Sequence, residues 1–116
     1  MTRDSLNLLQ GTLDVLILKT LTTGPSHGYA VTRSIHDRTD GVLNVDDAAL
    51  YQALHRMERK KWIRAEWGLS ENNRRAKFYR LTASGRRQLG AQETTWRRYA
   101  DAVFKVLEPA PGMSRP

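Results

Sequence analysis

Four side chains with hydrogen-bonding or charged tips, Gln52, His55, Arg56 and Arg59, fall at helical spacing in the segment after Asp46. At 100° per residue they lie opposite Leu50, Leu54 and Met57, whose i, i+4, i+7 spacing marks a buried face. Gln and Arg can make paired hydrogen bonds to base edges in a major groove, and Arg and His can also meet phosphate. Tyr51 sits at the flank of this face and Lys60 at its end. Further along, Asn72, Asn73, Arg74, Arg75 and Lys77 make a second polar cluster suited to phosphate oxygens. From Tyr51 to Leu81 nine Lys or Arg stand against three Asp or Glu, nearly the whole of the chain's net charge of +7. A polyanionic partner suits this pattern: nucleic acid, an anionic membrane or an acidic protein. Charge alone fits a solvated basic face equally well.

Other chemistries find little support. There is no cysteine, so disulfides and thiolate zinc sites are excluded. His27, His36 and His55 are scattered, with no HxxxH spacing, and no metal or cofactor is expected. Asp46-Asp47 reads as helix capping and dipole compensation rather than a catalytic carboxylate pair. Neither a phosphate loop nor a nucleophile elbow is present, and an enzyme is not expected. The longest apolar run, Val15 to Leu18, is far short of the roughly 20 residues needed to cross a bilayer. The opening MTRDSLNLLQ lacks the apolar core of a secretory leader, so a cytoplasmic location is expected.

The elements that must carry these residues follow from periodicity. Leu6, Leu9, Leu13, Leu16, Ile17 and Leu21 form one apolar helical stripe, stopped by Gly24-Pro25. Ser26 is expected to cap a second helix reaching about Thr39, with Tyr29, Ala30, Val31 and Ile35 inward. After a turn at Asp40-Gly41, Val42 to Val45 reads as a short extended stretch, and Asp46 caps the third helix. Trp62 to Trp67 and Ala76 to Leu81 alternate as strands around a polar turn, giving a hairpin with a basic tip. In it, Trp62 and Trp67 read as packing residues rather than ligand contacts. Thr82 caps a last helix that runs to Leu107, before Pro109. The expected fold is mainly α: a three-helix bundle with a two-stranded β wing, the winged helix-turn-helix, and a long C-terminal helix. Residues 1–82 would bind DNA, 83–108 would dimerise, and 109–116 would form a disordered tail.

The last helix also speaks about assembly. At 25 residues it would be about 37 Å long, whereas a compact domain of this size is roughly 35 Å across. Leu89, Trp96 and Val103 recur every seven residues, with Tyr99 and Val106 beside them and Leu107 widening the stripe. So long an apolar stripe exceeds what one small core can cover, and a second copy is the expected partner. A homodimer would offer two reading helices to a pseudo-palindromic site on double-stranded DNA. The alternative is that the helix folds back onto its own domain.

The chain resembles the PadR-family transcriptional regulators, in the short form with a single C-terminal helix. The carrying motifs are Leu9-Gln10-Gly11-Thr12-Leu13-Asp14, Gly24-Pro25-Ser26-His27-Gly28-Tyr29 and Leu50-Tyr51-Gln52-Ala53-Leu54-His55-Arg56-Met57-Glu58, followed by Trp62-Ile63 and Glu71 to Thr82. The resemblance implies a homodimer, usually a repressor, on an inverted-repeat operator. It maps the reading helix to Asp46–Lys61 and the wing to Trp67–Lys77, and sets His27, Gly28 and Tyr29 beside the DNA. Aromatic residues at such an interface hold flat hydrophobic ligands in some relatives, which would make Trp96 an effector contact, although an interface anchor with no ligand explains it as simply. The sequence departs from the family pattern at Ala48-Ala49, where a hydroxyl residue is usual, at Gln52, where proline is frequent, and at Lys61, where glycine is common. Lys61 must therefore turn the chain without glycine's freedom at positive φ. A protein adaptor built on the same winged fold is the rival reading.

Overall fold

The computed structural model describes residues 11–109; Leu6, Leu9 and nearly all of the expected tail lie outside them. Gly11, at φ 94°, opens α1 (Thr12–Thr20), which runs into a 3₁₀ turn at Leu21–Thr23. A two-residue strand β1 (Ser26–His27) precedes α2 (Gly28–Arg38), and α3 (Asp47–Arg59) follows. Then come β2 (Ile63–Leu69), β3 (Arg75–Leu81) and the long α4 (Ala83–Leu107). The sheet is antiparallel in the order β1-β3-β2, with Ile63 opposite Leu81, Ala65 opposite Tyr79 and Trp67 opposite Lys77.

Two caps are where the sequence places them. The Asp46 carboxylate accepts from the Ala49 N–H at 3.3 Å, and Thr82 Oγ1 accepts from the Gly85 N–H at 3.0 Å. Each satisfies a first-turn donor that would otherwise lack a partner. Ser26 does not cap α2. It pairs with Tyr79 in the sheet, and His27 caps instead, its Nδ1 accepting from the Ala30 N–H at 3.3 Å. The physical reason is the free edge of β3: its backbone groups need partners, and the extended chain leaving Gly24-Pro25 supplies them. The wing sheet thus has three strands rather than the two expected. Val42 to Val45 makes no strand pairing, although Leu43 and Val45 pack against the core. Lys61 does take the left-handed conformation, at φ 67°.

The core lies where the first three helices, the wing base and the start of α4 meet. Ile17, Leu18 and Leu21 face Val31 and Ile35, then Leu50, Leu54 and Met57, with Ile63 and Tyr79 closing it from the sheet. Leu89 belongs here too. It is 7% exposed and sits in the protomer's own core, which corrects its assignment to a dimer seam: this early turn of α4 still rests on the body. Trp96, expected in the same seam, is tied to the body by its Nε1, which donates to Thr12 Oγ1 at 2.9 Å, while its ring stays 36% exposed. From Tyr99 onward α4 leaves the body, and Tyr99, Val103, Phe104, Val106 and Leu107 are exposed. The principal extents of 59 × 30 × 22 Å record that projection.

Candidate nucleic-acid interface

The exposed side of α3 is fixed by the burial of its other side. Leu50, Ala53, Leu54 and Met57 are sealed in the core, so Tyr51, Gln52, His55 and Arg59 must face solvent. Asp46 and Asp47 at its start, and Arg56 and Arg59 in its last turn, match the helix dipole. Beside α3 lies the start of α2, and the approach is close. A β-carbon on Gly28 would come within 2.5 Å of the Tyr51 hydroxyl oxygen, so a larger residue there would push the Tyr51 ring aside. His27 is held by its capping bond and by the edge of Phe78, with centroids 5.4 Å apart.

The wing completes an open groove of about 1120 Å³ between α2, α3 and the hairpin. His27, Tyr29, Tyr51, His55, Arg74, Arg75 and Lys77, all singled out from the sequence, line it together. Gln52, Arg59 and Lys60 are exposed but lie outside its walls. Asn73 is the left-handed residue of the wing turn, at φ 62°, its N–H donating to the Ser70 carbonyl at 2.8 Å, and Asn72 faces the groove instead. Arg56 is drawn to the other side, where its guanidinium pairs with Asp14 of α1.

Two groove residues escaped the sequence reading. Arg33, one turn after Tyr29 on α2, donates to the Tyr29 hydroxyl at 3.3 Å and pairs with Asp37 at 3.7 Å. The bond it donates to Tyr29 and the nearby Asp37 carboxylate raise its already high pKa, so it stays a cation. Its i, i+4 relation to Tyr29 was the available signal. Trp67 is 58% exposed rather than packed away, and the Arg75 guanidinium lies 4.6 Å from its ring centroid. Such stacking holds an arginine in place while leaving its N–H groups free for phosphate. Lys77 is restrained similarly, 5.8 Å from the Tyr79 ring and 3.8 Å from Glu58. Tyr79 itself is buried, which pushes its phenol pKa up, with Glu58 and Tyr51 adding to the effect.

Among the described residues no group of His, Asp and Glu assembles that could hold a metal ion, and no helix is long and apolar enough to cross a membrane. Three helices, a hairpin wing and a cationic groove between them define a winged helix-turn-helix protein of the DNA-binding class. The family model described as "Transcriptional regulator PadR-like family" matches residues 17–91. The chain belongs to this family of DNA-binding transcriptional regulators. A solved transcriptional regulator from Clostridium thermocellum is similar at 26% identity, with a TM-score of 0.80 over 88% of this chain and 99% of that one. The PadR family regulator of Eggerthella lenta is 32% identical, with a TM-score of 0.75 over 92% and 91% of the two chains. "Uncharacterized protein X" of Lysinibacillus sphaericus is 26% identical over 102 residues, 88% of this chain and 94% of its own length.

Proposed function

We propose that the protein is a cytoplasmic, homodimeric repressor that grips an inverted-repeat operator through α3 and the wing and lets go when a small hydrophobic effector binds. The observation that carries this reading is the groove itself, where side chains from α2, α3 and β3 converge as hydrogen-bonding and cationic tips on one concave surface. The exposed end of α4, with Val106 83% exposed, supports self-association, because five large apolar residues on one projecting helix are costly to leave in water. A smaller cleft of about 380 Å³ between α1 and the middle of α4, walled by Val15, Leu16, Leu43 and Trp96, supports an effector of modest size.

Selection of bound duplexes from a random DNA pool, followed by an anisotropy titration of the recovered sequence, tests the reading. A motif with two-fold symmetry is expected, with affinity falling by about 10³–10⁵ between 50 and 200 mM salt as counterions are released. No recovered motif, or binding indifferent to salt, would favour a protein adaptor.

A further inference from the structure

By helical spacing Arg56 belongs with the outward-facing residues of α3, yet its Nη2 meets the Asp14 carboxylate, 42 positions earlier in the chain. The Asp14 side chain is 13% exposed and that of Arg56 41%. Arg56 is the partner that neutralises Asp14 among the described residues, and a carboxylate so enclosed would be costly without one. The base on which Asp14 stands is firm. Ile17 and Leu18 of α1 are wholly buried, and Thr12, two residues before Asp14, accepts the Trp96 hydrogen bond from α4.

We infer that Asp14 and Arg56 are positioning residues: the ion pair locks the rotation of α3 about its own axis against α1, and Arg56 does not itself read DNA. This rests on α3 being the reading helix and deepens that reading. Arg56 lies between Gln52 and Arg59 and next to His55, so any roll of the helix moves all of these together. With side chains included the helix radius is about 5–6 Å, so a roll of roughly 10° shifts a side-chain tip by about 1 Å. That is enough to spoil bidentate base contacts, which tolerate errors of about 0.5 Å. The paired guanidinium also adds little net charge to the DNA face, since Asp14 cancels it.

The sign of one substitution decides the matter. If Arg56 were a reader held back by Asp14, Asp14→Asn would free it, add one positive charge and tighten binding. If the pair positions the helix, the same change weakens binding to the operator. The test uses the full chain and two duplexes, the sequence recovered by selection and a scrambled version. D14N is expected to lower operator affinity about tenfold and leave the scrambled affinity level or slightly higher, so the ratio between them collapses. The loss should spread over every base position α3 contacts, and D14N combined with Arg56→Gln should be no worse than the poorer single variant. Near-UV circular dichroism establishes that each variant is folded at the assay temperature. Should D14N unfold there, Asp14→Glu, which keeps the charge but lengthens the arm, takes its place with the same expected loss of ratio. An unchanged ratio in a folded but less stable D14N, tighter operator binding, or an Arg56→Gln defect confined to one base position each overturns the inference. Failure of the unsubstituted chain to bind any duplex is a separate outcome, and it removes the regulator reading together with this one.

Discussion

Tyr79 shows how one side chain ties the wing to the core and leaves a measurable trace. Its ring is buried, it faces Ala65 across the hairpin and Ser26 across the outer strand, and Lys77 lies over it. Burial, with Glu58 and Tyr51 contributing, raises its pKa above the ordinary 10.0. The folded chain therefore keeps this proton to higher pH than the unfolded chain does. Above about pH 10 the unfolded state binds fewer protons, so stability falls as pH rises, and the fall ends once the folded-state value is passed. Tyr79→Phe keeps the ring and removes the titration. Denaturant unfolding followed from pH 9 to pH 11 (about the range that brackets the free phenol) should show a shallower loss for the phenylalanine variant than for the unsubstituted chain. Equal slopes would mean the phenol is not protected by folding. The Asp14–Arg56 pair belongs to the same scale, because it recasts a residue that helical spacing placed among the readers as one that holds them.

At the scale of elements, local signals were legible and distant ones were not. Asp46 and Thr82 were found as caps because an N-cap acts on N–H groups two or three residues away. Leu50, Leu54 and Met57 were found as the inward face of α3 because helical period alone defines it. Ser26 was misread, since its partner Tyr79 lies more than fifty residues on and a two-residue strand has no period to detect. The groove was legible in its charge and its helix but not in Trp67, whose aromatic side chain reads as core until Arg75 is seen above it. Leu89 was misassigned for a related reason: a seven-residue spacing marks an apolar stripe but not which copy of the chain covers it. The two glycines of α4 make the same distinction testable. A β-carbon on Gly85 would collide with the Trp62 carbonyl oxygen, where the helix start abuts the head of β2, whereas one on Gly90 would meet nothing within 4 Å. Alanine is the better helix former by about 1 kcal/mol at either place. Gly90→Ala should thus raise stability by about 0.5–1 kcal/mol, while Gly85→Ala should lower it by about 1–3 kcal/mol through the clash. Thermal melts of the two variants should shift in opposite directions; shifts of the same sign would mean α4 does not begin against β2 as described.

For the whole molecule, the question is what a helix that outruns its own domain is for. The first half of α4 is anchored by Gly85, Leu89 and Trp96, and the second half projects with Tyr99, Val103, Phe104, Val106 and Leu107 uncovered. Phe104, which the heptad reading passed over, is among the largest of these apolar groups and lies one residue from the stripe it extends. Two such ends brought together around a two-fold axis would cover each other and present both grooves on one side, as half-sites separated by about 34–36 Å or a multiple require. Anchoring through α1 gives the arrangement its stiffness. The exposed α4 end is continuous with the turn carrying Trp96, Trp96 is bonded to Thr12, and Asp14 pairs with Arg56 of α3. Replacing Phe104 and Leu107 together by Asp places like charges in that contact while leaving the core and groove untouched. Sedimentation should then show a monomer where the unsubstituted chain is a dimer. Affinity for the complete inverted repeat should fall by about 10²–10⁴, because two linked contacts become two independent ones, with affinity for an isolated half-site unchanged. A double variant that stays dimeric and keeps its full affinity would place the self-contact on some other face, and the exposed end of α4 would then need a different partner to account for it.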